Sequence, residues 1–577
     1  MPTIDLKLLQ AVLGTLPIPQ LAKSNETYPL LLGQIEFDAE DIKQRLTNNE
    51  KALDEILKYY NGRLYGRLKY LQNLESSLPL ETRERLKKSL RHARQSIKVI
   101  PSILEQRKNF TAPRTSYQIT KSKTDFEREL VEHKHRVTES MIPPEIFVEK
   151  MVAQLPRSNR ERHQYILGAS GSGKSELIKL EAYHDIQQPN YGVFILDPHG
   201  ELCEDIIQFR GIDENFVYLS AEFAHEGLCF KYNIFDHDFH DQPDIVKQPF
   251  ISMRAEELVG SFEKIFEADF THYMKRLIFN SMMLLLNEKG SKLQDLLNLL
   301  RPSTEGPYLK MARRHYNNNV RLYFEHDFQA KPLLVTRMSV ITRFENALSN
   351  YHLNNIMDAE KSSFDLRQLL DSSKAVLMSL SQGVIGEEGS RILGIFLMSE
   401  LTTHALRRQN QPKEERTPIF CYIDELQNYC SERLDKILSE GRKYGIHLIL
   451  ANQYLDQFGE KNRQLKESIL ANCNIKMFGA TGSKDYARMV KETDFQSGSM
   501  PLLRHGKFVL KVGDCTPVVV QAAGHLVKKT TEYFLTPIQV QKRLVWQKRQ
   551  YYVAFDPGQS TQKNSDTNYQ PIIEKLI

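Results

Sequence analysis

The chain has 577 residues, too many for one compact core, so two to four domains are expected. Its composition, 41% hydrophobic and 26% charged, excludes wholesale disorder, and a net charge of +5 does not by itself indicate a polyanionic partner. The six cysteines lie far apart without a C-x-x-C pair, which disfavours a zinc site or a disulfide framework and favours a cytoplasmic location. The sequence has no run of about 18 apolar residues and no signal-peptide pattern, so direct membrane insertion is not expected.

Residues 1–150 are predicted to form a mainly helical, basic domain. Its central stretch, from Lys58 to Arg114, contains fourteen Lys and Arg residues against four Glu, with four tyrosines interleaved. Residues 80–108 have the spacing of an amphipathic helix with one apolar face. Three interpretations stay open: a solvated helix face, contact with a nucleic-acid backbone, or a docking module for a protein partner.

A nucleotide-binding loop is predicted in the stretch YILGASGSGKSELIKL, residues 165–180. It fits the pattern G-x-x-x-x-G-K-[ST] and lies between an apolar strand and a helix, flanks that a serine-glycine linker would not need. Small residues let backbone N–H groups converge on phosphate at the positive end of the helix, the lysine can reach the β- and γ-phosphates, and the final serine can ligate Mg²⁺. The residues expected to hold the nucleotide are Gly168, Ser170, Gly171, Ser172, Gly173, Lys174 and Ser175.

After this loop, apolar strands alternate with helical segments, which predicts an α/β fold with a parallel sheet. Residues 151–244 and 363–545 are predicted to form the two parts of this core. Residues 245–362 are almost entirely helical in pattern and are predicted to form an all-helical insertion within it. Residues 546–577 are polar and are expected to form a loose tail.

The sequence PIFCYIDELQNY, residues 418–429, supplies the acidic partner that such a loop needs. Its apolar strand ends in Asp424 and Glu425. Asp424 is expected to hold Mg²⁺ together with Ser175, and Glu425 to orient and deprotonate the attacking water. Two adjacent carboxylates at the end of a buried strand are costly unless a cation meets them.

A second polar strand end follows in EGRKYGIHLILANQ, residues 440–453. Gln453 is predicted to contact the γ-phosphate or the attacking water, and a strand-end amide satisfied by its neighbours is the alternative. Arg442 precedes the strand and is a candidate arginine finger, which would act on the nucleotide of a neighbouring subunit. Arg488 and Arg504 compete for that role.

Together with LDPHGEL (residues 196–202) and GKFVLKVG (506–513), these motifs resemble the HerA–FtsK superfamily of DNA-pumping ATPases. The likeness is strongest to the motor portion of TraD/TraG-type conjugative coupling proteins of type IV secretion and to HerA-like relatives, and it covers about residues 160–525. A block at residues 364–401, before the acidic strand, strengthens it. The resemblance implies a RecA-like fold, ATP and Mg²⁺ as cofactors, a homohexameric ring with DNA in its pore, and hydrolysis between subunits.

The functional positions of the family fall on residues already singled out and on the DPHG block, which is expected to lie near the nucleotide: Lys174, Ser175, Asp424, Glu425, Gln453, Asp197 and His199. The sequence departs from the family pattern in three places. It lacks the N-terminal transmembrane helices of coupling proteins, its N-terminal part is helical in pattern rather than a β-barrel, and Lys476 stands where relatives often place an arginine.

Two classes of function are weighed. The first is an ATP-driven hexameric DNA translocase in a cytosolic complex for defence, repair or conjugative transfer, with a nuclease or a relaxase as partner. The second is a nucleotide-switched assembly protein that docks a partner and whose hydrolysis is not driven by DNA. A kinase or other small-substrate enzyme fits poorly, because it would need neither the helical insertion nor the basic stretch.

Overall fold

The structure is a computed structural model that describes a few isolated positions and residues 31–37, 128–133, 152–154, 157–212, 215–266, 270–429, 432–459, 462–493, 506–513, 517–521 and 533–554. The predicted basic helix of residues 80–108 lies, apart from isolated positions, outside the described residues. Residues 555–577 of the predicted tail also lie outside them. None of the described helices is long and apolar enough to cross a membrane.

The chain divides into two compact units. The core unit comprises residues 158–475 and 524–577, and the second unit comprises residues 1–157 and 476–523. Residues 476–523, which the alternation of strands and helices predicts to belong to the second part of the core, lie in the second unit. Each unit is described separately below.

The core unit is built on six parallel strands in the order β3-β9-β8-β4-β7-β5. Every residue of these strands is buried, as expected for a parallel sheet that helices cover on both faces. Leu167 lies opposite Asn452 and Leu196 lies opposite Ile423, so the strand ends meet at one edge. The strands are β3 (Gln164–Leu167), β4 (Gly192–Asp197), β5 (Phe216–Ser220), β7 (Ala375–Ser379), β8 (Ile419–Ile423) and β9 (Ile446–Asn452), and a short β6 (Leu228–Cys229) lies apart from the sheet.

Helices fill the connections between these strands and form the insertion. The described residues between β6 and β7 contain no strand, which agrees with an all-helical insertion in a RecA-like core. The helices are α1 (Arg157–Arg160), α2 (Lys174–Ile186), α3 (Glu201–Ile206), α4 (Asp244–Phe266), α5 (His272–Asn287), α6 (Leu293–Leu300), α7 (Gly306–Arg313), α8 (Asn318–Leu322), α9 (Lys331–Ala347), α10 (Tyr351–Met357), α11 (Leu366–Asp371), α12 (Gln382–Arg407), α13 (Glu432–Glu440) and α14 (Arg463–Asn472). A π-helical turn covers Tyr323–Asp327, and 3₁₀ turns cover Ala221–Glu226, Arg408–Asn410, Lys413–Glu415, Leu426–Tyr429, Gly441–Tyr444 and Leu455–Phe458.

The insertion packs on the core through α12. Phe262 of α4 makes edge-on ring contacts with Phe344 of α9 and Phe396 of α12, at centroid distances of 4.9 and 5.4 Å. Edge-to-face pairs of this kind stabilise beyond the burial of their area by roughly 0.5–1.5 kcal/mol. α12 therefore connects the insertion to the core, because the chain runs from its C-terminal end to the acidic strand β8.

The second unit contains a mostly antiparallel sheet in the order β2-β1-β12-β11-β10. Its strands are β1 (Leu31–Phe37), β2 (Val152–Gln154), β10 (Ile475–Phe478), β11 (Lys507–Val512) and β12 (Val518–Gln521), and α15 covers Ser483–Thr493. In β1, Glu36 pairs with Gln521. Most of residues 1–150 lies outside the described residues. The strand β1, which is described, pairs with β12, a strand far from it in the sequence.

A C-terminal helix, α16 (Pro537–Tyr551), covers the outer edge of β5. The Gln547 side chain accepts a hydrogen bond from Tyr218 N and donates one to Phe216 O, both at 3.0 Å, so it replaces the neighbouring strand that this edge lacks. β13 (Val553–Ala554) then pairs with β6. Residues 546–554, predicted to belong to a loose tail, are instead ordered, because the polar Gln547 is buried against β5.

Candidate nucleotide site

The predicted phosphate-binding loop joins β3 to α2. It contains two glycines with left-handed backbone, Gly171 with φ 75° and Gly173 with φ 93°, and Gly173 caps the first turn of α2. A Cβ at Gly171 would meet no atom within 4 Å, so glycine is needed there for the backbone conformation and not for space. The sequence folds in this way because its small residues allow the chain to reverse directly in front of a helix N-terminus.

The loop has the features that a phosphate group requires. The Ser172 hydroxyl is buried and has no hydrogen-bond partner among the described residues, whereas Ser170 and Ser175 are exposed. A buried polar atom without a partner is unfavourable unless a ligand satisfies it. The residues present therefore fit an anion at the N-terminus of α2.

The acidic pair lies beside this loop. Lys174 Nζ is 3.4 Å from Asp424 Oδ1 and 3.5 Å from Glu425 Oε1, and all three side chains are buried. Burial raises the pKa of the Asp424 carboxyl, the charge of Lys174 opposes this rise, and the neighbouring Glu425 adds to it. The pair is thus two buried carboxylates held by one ammonium group at long distances, an arrangement suited to receiving a further cation.

Glu425 has the backbone geometry of a functional residue. Its φ of 49° lies in the left-handed region, which is uncommon for a residue with a side chain. Gln453 Nε2 donates to Oε1 at 3.0 Å, and Gln427 Nε2 donates to Oε2 at 2.6 Å. Burial alone would raise the pKa of Glu425, but these two hydrogen bonds and Lys174 lower it below its ordinary value. The carboxylate is therefore held in its charged form.

The two polar residues that end β9 have different surroundings. Asn452 is buried, accepts a hydrogen bond from the Tyr165 hydroxyl and donates one to Tyr454 O, so its role is structural. Gln453 instead places its side-chain amide on Glu425. The structure thus brings Gln453 to the site, where a sensor amide was predicted.

The side chain of Asp197 faces its own turn. Its two oxygens accept hydrogen bonds from His199 N and Cys203 N, both at 3.0 Å, and burial raises its pKa. This anchors the turn between β4 and α3. His199 is exposed, and its charge contributes to the lowered pKa of Glu425. Contact of Asp197 and His199 with nucleotide stays a prediction.

Arg442 lies away from the other predicted site residues of its own chain. It is exposed in the 3₁₀ turn Gly441–Tyr444, before the first residue of β9, whereas Gln453 follows the last. The seven residues of β9 separate the two ends by about 20 Å at ~3.3 Å per residue. Arg442 therefore cannot act on the nucleotide of its own subunit, and action on a neighbour's nucleotide stays a prediction. Of its competitors, Arg488 lies in the second unit and Arg504 lies outside the described residues.

Sequence reasoning missed Gln427 and Gln457. Gln457 Oε1 accepts hydrogen bonds from the backbone N–H groups of Gln453 and Tyr454 and so fixes the turn after β9. The signal for Gln427 was its place two residues after Glu425 in the motif IDELQNY. No group of three or more His, Cys, Asp or Glu able to hold a metal is found among the described residues. The predicted protein ligands of Mg²⁺ remain Ser175 and Asp424, and phosphate and water would supply the other oxygens.

Family models match both parts of the site. Residues 157–394 match the model of the central domain of helicase HerA, and residues 418–492 match the model of the TraM recognition site of TraD and TraG. The first match contains the phosphate-binding loop, and the second contains the acidic pair and Gln453. A search of curated protein sequences found no match.

Solved structures similar to this chain include two of the plasmid coupling protein TrwB and one of VirB4. The TrwBdeltaN70 structure in complex with sulphate is 14% identical, covers 64% of this chain and 88% of that one, and has a TM-score of 0.46. TrwB in complex with ADP and Mg²⁺ is 15% identical, with coverages of 64% and 87% and a TM-score of 0.46. VirB4 of Thermoanaerobacter pseudethanolicus is 15% identical, with coverages of 66% and 95% and a TM-score of 0.45.

The motifs, the parallel core and the geometry of the loop, acidic pair and sensor amide agree with these family matches. The core of this chain therefore resembles a HerA–FtsK-like P-loop ATPase and the motor of conjugative coupling proteins.

Proposed function

We propose that this chain hydrolyses ATP to move DNA through a homohexameric ring. The observation that carries the proposal is the meeting of Lys174, Asp424, Glu425 and Gln453 at one edge of the parallel sheet. DNA as the track and the ring itself are supported by the family resemblance and by the basic stretch in residues 58–114. A cytosolic complex with a nuclease or a relaxase is the proposed setting.

Each residue has a defined task in this scheme. Lys174 binds the β- and γ-phosphates, and the Ser172 hydroxyl and the backbone N–H groups of the loop satisfy their oxygens. Ser175 and Asp424 would hold Mg²⁺, which would neutralise charge on the phosphates. Glu425, held ionised by its amide donors, accepts a proton from the attacking water.

The conformation and hydrogen bonds of Glu425 favour a protein that hydrolyses its nucleotide over one that only binds it. A protein that only needs to bind nucleotide has no use for a strained residue whose carboxylate is oriented by two amides. The geometry therefore supports hydrolysis as part of the function. Whether DNA drives that hydrolysis separates the two proposals.

The test is ATP turnover without nucleic acid, with single-stranded DNA and with duplex DNA. We expect DNA to stimulate turnover, Lys174→Ala to abolish it, and Glu425→Gln to retain bound ATP in an assembled ring with only slow residual hydrolysis. Lys413→Ala, which removes an exposed lysine that is not one of the predicted site residues, is the matched control. Lys174-dependent turnover that neither single-stranded nor duplex DNA changes would favour the assembly protein. Normal turnover in Glu425→Gln would show that another group activates the water.

A further inference from the structure

The turn that follows the acidic pair places a third polar side chain against Glu425. Leu426–Tyr429 forms a 3₁₀ turn whose two ends, Leu426 and Tyr429, are buried. This turn presents Gln427, half-buried, to the carboxylate, and its Nε2 lies 2.6 Å from Glu425 Oε2. The contact is shorter than the 3.0 Å hydrogen bond from Gln453 to Oε1.

The two carboxylate oxygens of Glu425 contact different side chains, and only one of these oxygens contacts the lysine proposed to bind phosphate. Oε1 faces Gln453 and Lys174, and the lysine is also the group proposed to bind phosphate. Among the described residues, Gln427 is the side-chain donor to Oε2. One donor on each oxygen fixes the plane of a carboxylate. Gln427 is the donor on Oε2, the oxygen that does not contact the nucleotide-binding lysine.

The other end of the Gln427 amide is unused. Its Oε1 is buried and has no hydrogen-bond partner among the described residues. An amide that served only to join the turn to the core would be expected to use both its donor and its acceptor. Here the donor alone is used, and it is used on Glu425.

From this geometry we propose that Gln427 is a positioning residue for hydrolysis, an inference that rests on the proposed function. Gln427 holds the plane of the Glu425 carboxylate so that a free lone pair faces the attacking water. In the reaction, the water proton passes to Glu425 and the water oxygen bonds to the γ-phosphorus, while the bond to the leaving phosphate oxygen breaks. Gln427 keeps its own protons and does not contact the nucleotide.

The experiment measures steady-state ATP turnover with saturating DNA and the affinity for a fluorescent ADP analogue. Gln427→Met keeps the length of the side chain and removes the donor, and Gln427→Glu keeps the shape and replaces the donor by a like charge. Both are expected to lower kcat about 10- to 100-fold, the loss of one hydrogen bond to a charged group, with KM and ADP affinity within twofold of the wild type. Asn428→Ala, an amide one position further along the same turn, is the matched control and should leave kcat unchanged.

A double variant separates positioning from a structural role. In the Glu425→Gln background there is no carboxylate to orient, so Gln427→Met should lower the residual turnover by less than twofold. Three results would overturn the assignment: wild-type kcat in Gln427→Met, a parallel loss of ADP affinity and kcat, or the same fold-loss in both backgrounds. A wild-type protein without Lys174-dependent turnover would overturn the proposed function and the assignment together, whereas the other results leave the proposed function standing.

Discussion

Lys174 is predicted to stabilise the protein before any nucleotide binds. Its ammonium group lies 3.4 Å from Asp424 and 3.5 Å from Glu425, and the side chains of these two residues are 7% and 6% exposed. Lys174→Met would leave both without a cation. Breaking a tight buried pair costs about 3–5 kcal/mol, but these distances are longer than those of a strong charged hydrogen bond. Asp424 can also take up a proton, since burial already raises its pKa. We therefore expect a loss of about 2 kcal/mol.

The measurement is the thermal midpoint of the nucleotide-free protein at neutral pH. For a unit of this size, about 2 kcal/mol lowers the midpoint by roughly 2–4 °C. The double variant Lys174→Met/Asp424→Asn removes one of the two carboxylates left without a cation and should recover part of that loss. A midpoint unchanged in Lys174→Met, or a double variant as unstable as the single one, would refute the reasoning that this lysine compensates the acidic pair.

Three further predictions concern residues outside the reaction. Burial lowers the pKa of His163 from 6.5 to about 4, so the unfolded chain binds the proton more readily and the protein loses stability as pH falls from 6.5 towards 4. In urea unfolding over that pH range, the free energy of unfolding of His163→Asn should fall by up to about 3 kcal/mol less than that of the wild type. A Cβ at Gly394 would overlap the Tyr429 ring, so Gly394→Ala should cost about 1–3 kcal/mol and lower ATP turnover, measured on the same samples. Gln547→Met leaves two buried backbone groups of β5 unpaired and should cost about 2 kcal/mol or more in urea unfolding, whereas Gln550→Met, on the exposed side of α16, should not.

The core of the site could be predicted from the sequence because each part is local. The phosphate-binding loop and the acidic pair are each contained in a short run of residues, and both follow buried strands. Parallel strands present their carboxyl ends at one edge, so the runs around Lys174, Asp424 and Gln453 had to meet. The sequence therefore supplied the members of the site but not the distances between them.

What the sequence did not reveal depends on contacts between distant residues. Gln427 and Asn452 are both amides near strand ends, and only the fold shows that the first contacts Glu425 and the second is satisfied by Tyr165 and the backbone. The pairing of β1 with β12 joins segments more than 480 residues apart, which no local pattern signals. The polar composition of residues 546–554 predicts a loose tail. The segment is ordered instead, because Gln547 bonds to a strand edge that the sequence does not mark.

The position of Arg442 gives a direct test of hydrolysis between subunits. Because β9 separates it from Gln453 by about 20 Å, any effect on catalysis must come from a neighbouring subunit. Arg442→Ala should then lower kcat by about 10³-fold or more, and Arg463→Ala, an exposed arginine at the start of α14, should not. Mixing inactive Arg442→Ala subunits with inactive Lys174→Ala subunits should restore turnover, since a mixed ring contains interfaces with an intact lysine on one side and an intact arginine on the other. Wild-type turnover in Arg442→Ala would pass the role to Arg488 or Arg504, and an inactive mixture would show that Arg442 supports its own subunit.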